Sequence, residues 1–157
     1  MIKVFLVEDE VVMRNGIKNN IPWEKEGLIF AGEASDGELA YPMIKKAQPD
    51  ILITDIRMPF MDGLELSELV KKEFPKIKII ILSGYNEFDY AKQAIHIGVT
   101  DYLLKPITAS KLLEAVKKVA DVIEKEREEE GMLERYRLEM AENTVLERQR
   151  LFRDLVT

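Results

Sequence analysis

The sequence predicts an α/β protein: a parallel β-sheet with helices on both faces. Three observations predict it. Five short apolar runs alternate with five segments of helical pattern. The runs are apolar throughout rather than at every second residue, which marks strands buried on both faces. Parallel neighbours need crossover connections, and the intervening helices supply them.

The elements follow in order. Lys3 to Val7 is the first strand, followed by Glu8-Asp9-Glu10. Val11 to Asn19 has a helical pattern with apolar Val11, Val12 and Ile17, closed by Pro22 and Gly27. Leu28 to Ala34 is a less uniform strand, expected at an edge of the sheet. Ser35-Asp36-Gly37 caps a helix from Glu38 to Gln48, with Pro42 inside its early turns. Pro49-Asp50 punctuates before the central strand, Ile51 to Asp55. Asp62-Gly63 leads a helix from Leu64 to Glu73, stopped by Phe74-Pro75. Ile77 to Leu82 is the fourth strand and ends in Ser83-Gly84. A helix from Glu87 to Ile97 closes on Gly98, a good C-cap residue. Asp101 to Leu104 is a short fifth strand before Lys105-Pro106. Thr108 or Ser110 caps a last helix carrying Leu112, Leu113, Val116, Val119 and Ile123.

Bulk properties narrow the function. A chain of 157 residues holds one domain plus an appendage. A formal net charge of -6 argues against a nucleic-acid-binding surface within the chain. With no cysteine there is neither a disulfide framework nor a thiolate metal site. The apolar start is too short for a signal peptide, and no run reaches membrane-spanning length. A cytoplasmic protein with no membrane partner is expected.

The chemistry gathers at the strand ends. The central strand stops at Asp55, and packing gives no reason for a carboxylate there. The carboxyl ends of parallel strands share one rim, where open α/β sheets bind ligands. The first strand delivers Glu8 and Asp9, the third Asp55, the fourth Ser83 and the fifth Lys105. Three converging acids raise one another's pKa unless positive charge compensates. Lys105 is one compensator. A hard divalent cation fits as the second: Mg²⁺, with Mn²⁺ as a substitute. Asp55 is then available as a nucleophile in phosphate chemistry. Taken singly, each residue has an ordinary explanation: an Asx turn, a helix-dipole pair, a tight turn, a surface lysine. The four positions together carry the functional reading. His96, the single histidine, lies in a helical pattern away from the rim and reads as a structural or surface residue. Met58 and Met61 are expected to pack under their loop.

These motifs resemble the receiver domain of bacterial two-component response regulators. The residues that carry the likeness are Glu8-Asp9, Asp55 in Asp-Ile-Arg-Met-Pro-Phe-Met-Asp-Gly, Ser83, and Tyr102-Leu103-Leu104-Lys105-Pro106. The likeness covers residues 2 to 124. It implies a flavodoxin-like (CheY-like) doubly wound five-stranded sheet of order 2-1-3-4-5. It implies Asp55 as phosphoacceptor, with a sensor histidine kinase as partner. Mg²⁺ would be held by Asp9, Asp55 and the Arg57 backbone carbonyl, and Glu8 would reach it through water. The family more often has Asp where this chain has Glu8. Lys105 would pair with the acyl phosphate beside a cis Lys105-Pro106 peptide. Ser83 and Tyr102 would be the switch that reshapes the face of the fourth helix, fifth strand and last helix. That face is also a surface for homodimers.

In this family the positions of Arg57 and Tyr85 tune acyl-phosphate lifetime. Both are bulky here, so slow self-dephosphorylation is expected. Three other readings exist. A phosphatase of the haloacid dehalogenase type also uses a strand-end Asp and Mg²⁺, but it needs a second acid where this chain has Arg57. An unphosphorylated interaction module would typically lack one of Asp9, Asp55 or Lys105. A stand-alone receiver would act through protein contacts alone.

The receiver region is expected over 1–124 and a helical linker over 125–157. Glu124 to Glu130 is nearly all charged and reads as a solvated helix that Gly131 kinks or ends. Leu138, Val145 and Phe152 are seven apart, with Ala141 and Leu155 between, although Arg148 interrupts the seam. This short heptad pattern suits a signalling helix that pairs with a second copy. Nine Lys and Arg against eleven Asp and Glu from Lys117 to Thr157 make no basic arm. The sequence stops mid-pattern and resembles the linker of regulators with an AraC-type helix-turn-helix region. A longer parent is therefore expected, with DNA bound only through an effector domain absent from this chain.

Overall fold

The computed structural model describes residues 1–84 and 88–156. Five strands and five helices alternate: β1 (Ile2–Val7), α1 (Val11–Asn20), β2 (Leu28–Ala34), α2 (Gly37–Ala47), β3 (Ile51–Thr54), α3 (Gly63–Glu73), β4 (Lys78–Ser83), α4 (Phe88–Ile97), β5 (Asp101–Leu104) and α5 (Ala109–Val156). All strand pairs are parallel, in the order β2-β1-β3-β4-β5. The doubly wound arrangement expected from the sequence is the one observed.

The apolar runs form the inner strands because both of their faces are covered. Ile51, Leu52 and Ile53 of β3 and Ile79, Ile80 and Ile81 of β4 are fully buried. The less uniform β2 is an edge strand, and β5 is the other edge. A core cluster of Phe5, Val7, Leu52, Ile56, Leu66 and Val70, among others, lies beneath the rim.

Register is pinned at the amino ends of the strands. The Asp50 N–H donates to Lys3 O at 2.9 Å, and Asp50 O accepts from the Lys78 N–H at 3.0 Å. Asp50 Oδ2 accepts from the Lys3 N–H at 2.8 Å. One residue thus ties β1, β3 and β4 together.

The starts of α2, α3 and α5 follow the expected capping chemistry, while Glu10 before α1 makes no side-chain cap. Asp36 Oδ1 accepts from the Leu39 N–H and Asp62 Oδ1 from the Glu65 N–H, each at 2.8 Å. Thr108, not Ser110, caps α5, its Oγ1 accepting from the Lys111 N–H at 3.1 Å. α2 starts at Gly37 and runs through Pro42. Pro42 lies on the exposed side, where water can serve the carbonyl its missing N–H leaves open. In α1 only Ile17 of the three expected apolar positions is buried; Val11 is 57% and Val12 86% exposed. The helix starts at the rim, directly after the three residues that follow β1.

The chain divides into two compact units, Met1–Ala120 and Asp121–Thr157. The second unit is helical, and α5 passes Gly131 without ending there. One glycine in a helix costs about 1 kcal/mol relative to alanine, which the helix formers on either side offset. From Glu124 to Glu130, and again from Met132 to Arg153, every side chain is exposed. Among the described residues, no helix is long and apolar enough to cross a membrane.

Candidate functional site

The sheet ladder continues one residue past the strands and places the site. The Glu8 N–H donates to Ala34 O at 3.0 Å, the Asp55 N–H to Val7 O at 3.0 Å, and the Lys105 N–H to Ser83 O at 2.8 Å. The backbones of Glu8, Asp55 and Lys105 are therefore fixed by their neighbouring strands.

Their side chains converge. Carboxylate oxygens of Glu8, Asp9 and Asp55 lie within 4.8 Å of one another. Glu8 is 1% and Asp55 6% exposed. Lys105 Nζ stands 2.7 Å from Glu8 Oε1 and 3.2 Å from Asp55 Oδ2. The other Asp55 oxygen, Oδ1, accepts from the Ile56 N–H at 2.7 Å. The two oxygens of Asp55 therefore differ, one anchored by backbone and one facing the ammonium.

Charge balance sets the protonation. Burial pushes the Glu8 carboxyl up to about 7, and the Asp55 charge adds to it; the Lys105 bond opposes both but does not prevail. Asp9 is raised by burial and by Asp55. For Lys105, burial favours loss of the proton, but the bond to Glu8 and the charges of both acids outweigh it, and its pKa rises. Three hard oxygen donors facing one ammonium leave an excess of negative charge. Such a donor set fits a hard divalent cation such as Mg²⁺.

The loop after Asp55 is clamped by close backbone contacts. A Cβ on Gly63 would lie 1.7 Å from the Asp55 carbonyl oxygen, and the Gly63 N–H donates to Ile56 O at 2.8 Å. A Cβ on Gly37 would meet Met61 O at 2.7 Å. Met58 and Met61 are partly buried against the core. Between them Phe60 adopts φ 68° and is 83% exposed.

The remaining predicted residues fall as follows. Ser83 is fully buried at the end of β4, opposite Leu104. Tyr102 lies in β5, partly buried against the core cluster. The Lys105-Pro106 peptide is cis. The exposed Arg57 side chain reaches α4, its Nε donating to Tyr90 Oη at 3.0 Å and its guanidinium 5.6 Å from the Tyr90 ring centre. His96 is exposed on α4. Tyr85 lies outside the described residues. Sequence reasoning missed two contributors, Tyr90 and Arg14; Arg14 Nη1 donates to the Glu8 backbone oxygen at 2.7 Å. In the sequence each reads as an ordinary helix residue. Phe60 was equally silent, because nothing in its neighbours demands a left-handed backbone.

Residues 4–117 match the family described as the response regulator receiver domain. The transcriptional regulatory protein YesN of Bacillus subtilis is 41% identical over 119 residues, 76% of this chain and 32% of that protein. The chain thus spans about a third of the length of that relative. The receiver domain of AraT, a response regulator from Geobacillus stearothermophilus, is 39% identical with a TM-score of 0.74, over 80% of this chain and 97% of that one. A two-component transcriptional regulator AraC from Clostridium phytofermentans is 31% identical with a TM-score of 0.70, over 81% and 98% of the two chains. With residues 4–117 matching the family and five parallel strands in the order β2-β1-β3-β4-β5, this chain belongs to the response regulator receiver family, the signalling domains of two-component systems, and is related to transcriptional regulators.

Proposed function

We propose that Asp55 accepts a phosphoryl group from a phosphohistidine of a sensor histidine kinase. The observation that carries the reading is the rim itself: a nearly buried Asp55 carboxylate with Lys105 at 3.2 Å and the Glu8-Asp9 pair beside it. An Asp55 oxygen attacks phosphorus in line; the new P–O bond forms as the P–N bond breaks, and the imidazole leaves with the electron pair. Mg²⁺, or Mn²⁺, held by Asp9, Asp55 and the Arg57 carbonyl, with Glu8 reaching it through water, would neutralise charge on the transferring group. Lys105 exchanges its contact with Asp55 Oδ2 for a phosphoryl oxygen. Ser83 donates to another, and Tyr102 turns inward behind it. The resulting population shift reshapes the face formed by α4, β5 and the start of α5. Arg57 shields the acyl phosphate from water and prolongs its lifetime.

Residues 125–157 would carry that change onward, as a linker to a DNA-binding effector domain of a longer transcriptional regulator. The similarity to transcriptional regulators supports this output. The linker also offers Leu138, Val145 and Phe152, each more than half exposed and seven residues apart, as a seam for a second copy. The α4–β5–α5 face is the other homodimer surface.

Incubation with acetyl phosphate and Mg²⁺, followed by intact-mass measurement, tests the reading. Wild type gains one phosphoryl group and Asp55→Asn gains none. No gain on wild type, or equal gain on Asp55→Asn, sinks it.

A further inference from the structure

We infer that Arg14 is a positioning residue for the acid pair, holding the Glu8–Asp9 peptide in place from α1. The inference rests on the reading of Asp9 as a metal ligand and adds a residue that reading does not include. Glu8 and Asp9 follow the last residue of β1. The Glu8 N–H is bonded to Ala34 of β2 at 3.0 Å. The Glu8 carbonyl accepts from Arg14 Nη1 at 2.7 Å. Both polar backbone groups of Glu8 are thus engaged, one by an edge strand and one by a helix.

The carbonyl matters because a peptide unit is planar. Glu8 O and Asp9 N belong to one rigid plane, so holding the oxygen fixes the direction from which the Asp9 backbone departs. Asp9 is then left with only its own dihedrals to search before its carboxylate meets those of Glu8 and Asp55. With that carbonyl released, the three-residue link between β1 and α1 would have more ways to place Asp9 than the site can use.

Arg14 is itself braced. Its backbone N–H donates to Glu10 O at 2.9 Å, and its side chain is 17% exposed. Its Nε stands 4.0 Å from Glu33 Oε1 on β2, an oxygen that Lys18 Nζ also approaches to 3.7 Å. The order is a strut: β2 carboxylate, guanidinium, acid loop. Arginine suits the task because its planar fork offers several donors in fixed relation, whereas lysine offers one compact charge. Arg14 meets the acid pair at the Glu8 carbonyl and not at a carboxylate of the site.

The experiment compares wild type with Arg14→Met, Arg14→Lys and Lys18→Met. Calorimetry reads Mg²⁺ affinity. Carbon and nitrogen NMR of the metal-free proteins reads the Glu8 carbonyl and the Asp9 amide. Residues that orient metal ligands from behind are worth on the order of 10-fold in affinity, the loss expected for Arg14→Met. Arg14→Lys recovers only part of it, and Lys18→Met, which removes a charge near Glu33 without touching Glu8, changes nothing. The Glu8 and Asp9 resonances move in both Arg14 variants. Unchanged affinity and unchanged resonances in Arg14→Met or Arg14→Lys overturn the inference. Full rescue by lysine, or an equal loss in Lys18→Met, does so too, because a charge effect would then suffice. Wild type that binds no Mg²⁺ refutes the metal reading instead, and the resonances still decide whether Arg14 holds the peptide.

Discussion

Glu8 gives the sharpest test of the site's electrostatics. Its carboxyl sits at about 7 in the metal-free protein, against an ordinary value of 4.5. A carboxyl raised on folding binds its proton more tightly in the native state. Stability from this group is therefore full below pH 4.5 and is lost as pH rises towards 7. Above that both states are ionised and the loss is complete. Every tenfold gain in proton affinity is worth about 1.4 kcal/mol, which caps the loss at about 3.5 kcal/mol. Glu8→Gln keeps the shape and removes the titration. In urea melts with chelator present, the variant should match wild type near pH 4.5, gain steadily to pH 7, and hold a constant advantage above. Taking the difference between the two proteins cancels every other titrating group. With Mg²⁺ present wild type should recover at high pH, since metal binds the ionised carboxylates, while Glu8→Gln should recover less. A difference that does not vary with pH would refute the assignment of a raised Glu8, and so would a variant that loses stability as pH rises.

Further expectations concern the loop after Asp55. Gly63→Ala should cost about 3 kcal/mol or more by urea melt, because its methyl would fall on the Asp55 carbonyl; a mild loss would mean that the backbone can retreat. Phe60→Asn should gain about 0.5–1 kcal/mol, since asparagine tolerates the left-handed backbone and the ring is exposed; destabilisation would show that the ring packs. Arg57→Ala should shorten the acyl-phosphate lifetime several-fold in a chase after phosphodonor removal, and an unchanged decay would end the shielding idea.

The parts of this protein that were legible in its sequence share one physical cause. A strand buried on both faces must be apolar throughout, so a polar residue at its end stands out. That contrast exposed Asp55 after Ile51–Thr54, and likewise Glu8, Ser83 and Lys105. Caps were legible because Asp36, Asp62 and Thr108 act within three residues of themselves. What stayed hidden depends on separation in sequence. Arg14 holds Glu8 across a turn of helix and reaches Glu33 on another strand, yet an arginine on α1 looks like any solvated cation. Tyr90 meets Arg57 across 33 positions. Gly63 looked like part of an ordinary turn because only the folded chain brings the Asp55 carbonyl against it. Val11 and Val12 mislead in the opposite direction, since apolar spacing does not reveal where the sheet stops. At Gly131 the local signal was real but too small to end a long helix.

Asp50 has a consequence that its distance from the chemistry conceals. In β1, β3 and β4 nearly every residue is apolar, so sliding one strand along another would bury much the same surface. Hydrophobicity alone is almost indifferent to such a slip, though a shift by one residue turns every side chain over. The rim is not indifferent, because Glu8, Asp55 and Lys105 are each the next residue after a strand. By tying Lys3 and Lys78 to itself, Asp50 sets where all three strands begin counting. Whether Asp55 finishes beside Glu8 and level with the end of β4 is thus decided at the end of the sheet where no reaction takes place.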